Sequence, residues 1–376
     1  MRAFVLLLLC LVPLAARGQP ADCGTPAPRD DGWDMADPTE TGLDRTMLCR
    51  IGPRFEAWKE ADIHAALVVR HGKLVYEHYF TNEDEWAWNL RRNVAYDDAM
   101  KHDLRSISKS VTALVLGIAI GKGLINGIDQ PVLPLFPEYA DLRSPDRARI
   151  TLRHLLTMSQ GLAWDEDLPY SDPRNSESRM DDAANPVRYA FEQPIESPPG
   201  TIFNYSSGSA TIITALLHKA TGQSLDRFAQ TELFDPLGIT DVEWRRFASG
   251  EPNAASGLRM RPRDLIKIGQ LVLDHGAWKG RQIVPADWVA AATAPKINAQ
   301  LTFFYGYQFW LGRSFVTGQE IDWVSGVGYG GQRLFIIPSL DMVVLVHAGL
   351  YGKPGQWTFP LSILNQYVLP AAGTTP

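Results

Sequence analysis

The stretch Ser106-Ile107-Ser108-Lys109, followed by the apolar run Val111-Thr112-Ala113-Leu114-Val115-Leu116-Gly117-Ile118-Ala119-Ile120, decides how the chain is read. Ser106 and Lys109 lie three residues apart, a spacing that puts both side chains on one face of a helix. A serine hydroxyl is a weak nucleophile at neutral pH, and an adjacent unprotonated amine can activate it. Free lysine titrates near 10.4, so burial or a neighbouring cation must lower it before it can serve as a base. The run after Lys109 is apolar on every side, the pattern of a helix buried all round. Such a helix would hold the pair rigid and dry at its mouth. No other lysine in the chain has a serine three residues before it. By themselves these four residues also describe an ordinary helix start, with Ser106 or Ser108 as the cap and Lys109 in water.

Working outward, residues 1–18 read as a secretory signal. Arg2 supplies a positive start, Phe4 to Leu14 a short apolar core, and Ala16 and Gly18 small residues at the cleavage positions. The core is too short to span a bilayer. An exported protein, periplasmic or secreted, is expected. Cys10 falls inside the signal, which leaves Cys23 and Cys49 as an even pair and suggests one disulfide. Residues 19–376 are expected to form a single domain with an ordinary globular composition of 45% hydrophobic residues. The net charge of -6 argues against nucleic acid or an anionic membrane surface as a partner, since both need a basic face.

Ile63 to Arg70 and Leu74 to Phe80 are strand-like and joined by His71-Gly72-Lys73, which predicts a hairpin. Thr81 to Met100 and Leu168 to Asn185 read as polar loops, the second of them mobile. Helices are predicted over Arg54–Asp62, Thr151–Met158, Ala210–Thr221, Ser224–Leu233 and Pro262–Leu273. Strands return at Tyr305–Leu311, Glu320–Val324, Arg333–Ile337 and Met342–His347, joined by Gly-rich or Pro-Ser turns. The fold class is therefore α+β: an antiparallel sheet flanked by helices, gathered from about 50–95 and 300–376, plus a mainly helical region over about 96–299.

Asp103 to Lys122, His154 to Trp164, the Pro199-Gly200 turn before Tyr205, and Gly328-Tyr329-Gly330-Gly331-Gln332 occur in an order that resembles the serine hydrolases related to class C β-lactamases and penicillin-binding proteins, with their esterase and amide-hydrolase relatives. The resemblance runs from about Ile63 to His347. It implies Ser106 as the acylated nucleophile, Lys109 as the group that takes or relays its proton, and Tyr205 as a phenol that shuttles the proton to the leaving group. It implies Ser207 as a polar third member near the lysine. A backbone N–H near Gly331 or Gln332 would join that of Ser106 in an oxyanion hole. Trp164, Trp310, Trp323 and the Trp86-Ala87-Trp88 segment are candidate walls for an apolar group. Glu166, between Asp165 and Asp167, reads first as a loop charge.

The third motif departs from the family pattern. Many relatives carry a Lys-Thr-Gly or His-x-Gly there; the best match in this chain is Gly326-Val327-Gly328, without a basic residue. That departure points to an uncharged ester or amide as the small-molecule substrate, to weak or absent β-lactam hydrolysis, and to an alternative in which the chain keeps the fold as a penicillin-binding-type protein without efficient turnover. Other templates fail. Glycines 326, 328 and 331 match G-x-G-x-x-G but precede a strand instead of opening a helix, so no dinucleotide cofactor is expected. There is no G-x-S-x-G elbow, no H-E-x-x-H and no paired-cysteine metal site.

Overall fold

The computed structural model describes residues 23–86 and 89–373. The expected signal at residues 1–18, and the side chains of Trp86 and Trp88, lie outside what is described. Nine strands form one sheet in the order Asp34–Met35, Lys73–Tyr79, Ile63–Arg70, Met342–Ala348, Gln332–Ile337, Gln319–Gly328, Trp310–Val316, Phe303–Tyr305 and Ile297–Gln300. All neighbours are antiparallel except the short first strand, which runs parallel to Lys73–Tyr79. The last long strand thus lies against the first hairpin, Val344 opposite Val68, and the two ends of the chain share one sheet.

The central strands read as almost unbroken apolar runs because both faces are covered. Along Met342–Ala348, Val343 and Leu345 enter the layer beneath the helices of residues 107–292, whereas Val344 and Val346 face the opposite layer. That opposite layer is closed by Ile51–Ala57 and by the C-terminal helix beginning at Thr358–Ile363. A two-layer core of this kind stabilises by about 1.5–3 kcal/mol for each fully buried Val, Leu, Ile or Phe side chain.

The helix Ile107–Gly121 runs through the first layer, and every residue from Ile107 to Ala119 is buried. Gly117 is required by packing. A Cβ there would lie 2.1 Å from Cδ1 of Trp288, whose indole N–H donates to the Ala113 carbonyl at 2.9 Å and so cannot swing aside. The second long helix, Ser207–Thr221, begins three residues earlier than its apolar face suggests.

Two expected loops are structured. Thr81–Trp86 and Asn89–Ala95 pair as antiparallel strands, which the polar sequence concealed. Within Leu168–Asn185, Asn175 caps a helix, Ser176–Asp181, whose Glu177 and Met180 are buried and anchor the segment. The expected strand Tyr305–Leu311 is split by a turn, with Phe303–Tyr305 on one side and Trp310–Val316 on the other. Cys23 and Cys49 are bonded, closing a sequence separation of 26. Among the described residues no helix is long and apolar enough to cross a membrane.

Gly117→Ala sets helix propensity against packing. Alanine is favoured over glycine by about 1 kcal/mol within a helix, while overpacking costs about 1–3 kcal/mol. Packing is expected to win, lowering the urea midpoint; an unchanged or higher midpoint would show that Trp288 yields.

Candidate active site

Ser106 sits immediately before the buried helix with helical φ and ψ of -67° and -5°. Arg105, in front of it, is left-handed at φ 49°, which turns the chain so that Ser106 stays partly exposed while its neighbours are buried. Ser106 makes no capping bond and Lys109 is 1% exposed, which removes the reading of an ordinary helix start. Ser108 is the structural serine. Its hydroxyl donates to the Arg105 carbonyl at 2.6 Å and accepts the Leu258 N–H at 3.1 Å, tying the helix start to the Leu258–Met260 strand.

Lys109 Nζ donates to Ser106 Oγ at 2.9 Å and to the Ala255 carbonyl at 3.0 Å. Ala255 is held in turn by Asn253, whose side-chain oxygen accepts both the Ala255 and Ser256 N–H groups. Nζ also lies 4.8 Å from the centre of the Tyr205 ring. Ser106 acts on the Tyr205 hydroxyl in the sense that favours the phenolate, so the phenol stands beside the serine that the amine holds. Its segment is set by Met158, whose carbonyl accepts the Asn204 N–H at 2.7 Å, and its ring packs 5.8 Å from Trp310. Burial, reinforced by the Glu166 carboxylate, raises the phenol well above its ordinary value, so it carries its proton at neutral pH.

Glu166 was the least legible member from sequence, and it is central. The Trp164 indole N–H donates to its Oε1 at 2.5 Å, and the Ser207 N–H donates to the same oxygen. Burial, then the charge of Glu177, pushes its carboxyl up to about 7, against the pull of Lys109. Glu177 receives the Tyr170 hydroxyl at 2.7 Å. Burial acts to raise Glu177 as well, but Lys109 and the Tyr170 bond outweigh it and bring it below the ordinary range.

Ser106, Glu166, Tyr205, Trp310, Val327 and Arg333 share the wall of one cavity of about 540 Å³, of the size small-molecule sites have. Trp164 is packed behind it and acts through Glu166. The Ser207 hydroxyl is buried without a hydrogen-bond partner among the described residues; the part of Ser207 that reaches the site is its backbone N–H. Gly331 and Gln332 do not line the cavity. The Gln332 amide donates to the Ala348 carbonyl at 2.6 Å and its oxygen accepts the Ala348 N–H, binding two strands together. The strand end on the wall is Val327, Gly328 and Tyr329. Trp323 lies in the opposite core layer. The basic residue absent from Gly326-Val327-Gly328 has a counterpart one strand over: Arg333 is the register partner of Val327.

A domain with this sheet, and with serine, lysine and tyrosine converging at the mouth of a buried helix, has the architecture shared by β-lactamases and penicillin-binding proteins. The family model described as Beta-lactamase matches residues 61–354, and the chain belongs to that family and is a hydrolase by class. It is 27% identical over 333 residues to the 6-aminohexanoate-dimer hydrolase of Paenarthrobacter ureafaciens, covering 83% of this chain and 79% of that one. It is 27% identical over 194 residues to the lovastatin esterase of Penicillium rubens, covering 46% of each. Among solved structures, the octameric penicillin-binding protein homologue from Pyrococcus abyssi superposes with a TM-score of 0.63 at 20% identity, over 87% of this chain and 77% of that one. That likeness concerns the fold.

The raised Glu166 makes a stability prediction. Its folded value of about 7 exceeds the ordinary 4.5, so between those values the folded state holds more protons than the unfolded one. Stability from this group therefore falls as pH rises from about 4.5 to about 7. Glu166→Gln keeps the oxygen that both N–H groups need. The melting temperature of the variant relative to wild type is expected to climb between pH 5 and pH 8; a flat difference would remove the buried-carboxyl account.

Proposed function

We propose that the protein is an exported serine hydrolase that cleaves a small ester or amide through an acyl-enzyme on Ser106. The observation that carries this reading is Lys109 Nζ at 2.9 Å from Ser106 Oγ, with Tyr205 beside the same serine on the wall of one cavity. Ser106 Oγ attacks the substrate carbonyl carbon while its proton passes to the Lys109–Tyr205 pair in the form that has one proton fewer than ammonium plus phenol, the two acting as one proton-holding unit. The Ser106 N–H and the strand end Val327–Tyr329 hold the oxyanion. Collapse breaks the bond to the leaving alkoxide or amine, which takes the proton from the pair. Water then attacks the acyl-serine, loses its proton to the same pair, and releases the acid with Ser106 restored.

Relatives named as an amide-dimer hydrolase and an esterase support both substrate classes. Carboxylates at Glu166 and Glu177 beside Lys109 support a role in holding the lysine and in excluding a second anion from that side. Export is supported by the pattern of residues 1–18 and by the Cys23–Cys49 bond, because disulfides persist in oxidising compartments.

A fluorophosphonate probe is expected to label the wild-type protein and not Ser106→Ala. Turnover of p-nitrophenyl butyrate is expected to fall at least about 100-fold in Lys109→Ala and in Tyr205→Phe, the usual range for acid–base groups. A folded wild type that neither labels nor turns over ester would instead make this a binding protein.

A further inference from the structure

Leu301 is 93% exposed and stands at φ 50°, in the turn that joins the strands Ile297–Gln300 and Phe303–Tyr305. Glycine or asparagine takes that left-handed position easily, and a bulky apolar residue does not. Leucine there is unfavourable in backbone conformation and in its contact with water, and such exposure leaves almost no packing to offset either. Ile202, 58% exposed, lies in the bend between Gly200 and Tyr205. The bend and the hairpin meet. Phe203 and Asn204 line a second cavity, of about 590 Å³, together with Ala299 and Gln300, and the Phe203 ring packs edge-on against Tyr305 at 5.2 Å. Tyr205 and Gln300 line both this cavity and the one that holds Ser106.

Isolated apolar side chains on a surface are ordinary. Leu301 and Ile202 instead end an apolar path that starts at the nucleophile. On the wall of the Ser106 cavity, the Tyr205 ring lies 5.8 Å from Trp310, and Trp310 lies 6.0 Å from Trp357. Trp357, itself 41% exposed, stacks at 6.4 Å on Phe303, two residues beyond Leu301. An aromatic wall that stopped at the rim would serve a short acyl or alkyl group. One that runs out onto exposed leucine and isoleucine fits a chain longer than the cavity. Both lips lack charge, with no Asp, Glu, Lys or Arg over residues 197–217 or 297–312. The acids of the second cavity, Asp165, Asp167 and Glu196, come from other segments, which leaves the route along Trp310 and Trp357 apolar.

We propose that the substrate is an ester or amide with a long, unbranched apolar chain, its inner part lying on Tyr205, Trp310 and Trp357 and its end resting on Leu301 and Ile202. Each methylene taken out of water strengthens binding about fourfold, so covering two or three of them at the rim is enough to set a chain-length preference. This inference rests on the hydrolase reading above and agrees with the uncharged substrate expected from Gly326-Val327-Gly328.

Binding separates it from that reading. Calorimetry on Ser106→Ala is expected to show decanoate binding at least about tenfold more tightly than butanoate, two acids that differ only in the tail. Adding Ile202→Ser and Leu301→Asn is expected to remove at least about fivefold of that difference. Both side chains are exposed and asparagine suits the left-handed turn, so the fold is kept. In the wild type, the kcat/KM ratio of p-nitrophenyl decanoate to p-nitrophenyl butyrate tests a chain on the acyl side. The ratio of decyl acetate to butyl acetate tests the alcohol side, all four esters being kept below the concentrations at which they aggregate. A ratio above about ten in either pair, falling at least about fivefold in Ile202→Ser/Leu301→Asn while p-nitrophenyl butyrate and butyl acetate turn over as before, supports the proposal. Equal affinity for the two acids, or a preference that the double variant keeps, would overturn it whether or not any ester is hydrolysed. Ratios near one in both ester pairs count against it. So does binding to phosphatidylcholine vesicles, or self-association in the ultracentrifuge, that the double variant loses while its chain-length ratio stays, since either result gives the rim to a bilayer or to a second copy.

Discussion

A lysine amine held against a serine hydroxyl at the mouth of a wholly buried helix is the constraint from which the rest follows. Lys109 can be kept at 1% exposure only because Ser106, the Ala255 carbonyl and the acids behind it replace the water it gives up. Each of those groups needs its own support. Asn253 shapes the turn that presents Ala255, Ser108 pins the helix start, and Trp164 with the Ser207 N–H holds Glu166. Loss of any of these would be felt first at Nζ. The helix itself is locked by packing, with Trp288 occupying the space that Gly117 leaves open.

The electrostatic layout has two sides. On the side of the 166–181 segment, Glu166, Glu177 and Asp181 crowd together; burial and mutual repulsion raise Glu166 and Asp181 to about 7, while Glu177 keeps its charge through Lys109. On the sheet side stands Arg333. Tyr205 lies between these fields. Burial and Glu166 hold its proton on, and Arg333 acts in the opposite sense, so the phenol's acidity is set by a strand and a loop together.

What could be read directly was whatever depends on near neighbours in sequence. The Ser106–Lys109 spacing, the all-round apolar run, the hairpin at 63–79 and the order of the motifs are of that kind. Glu166 was hidden because an acid in a run of acids looks solvated, and only packing shows that Trp164 and Ser207 enclose it. The strands at 81–95 were hidden because their pairing, not their composition, makes them strands. Gly331 and Gln332 drew attention through a motif, but the pleat turns the Gln332 side chain to the neighbouring strand and away from the cavity.

The amino-acid order alone determined the α+β layout and the pairing of Ser106 with Lys109, since a helix brings residues three apart together wherever it lies. It also determined that Tyr205 was a candidate, without saying that it could reach Ser106. Only the tertiary structure decided that meeting, the enclosure of Glu166, and the charge on the wall of the cavity that holds Ser106. The reason is register: Arg333 faces the site because Val327 lies opposite it across two strands, and a one-residue slip in that pairing would have sent the guanidinium to the other face of the sheet.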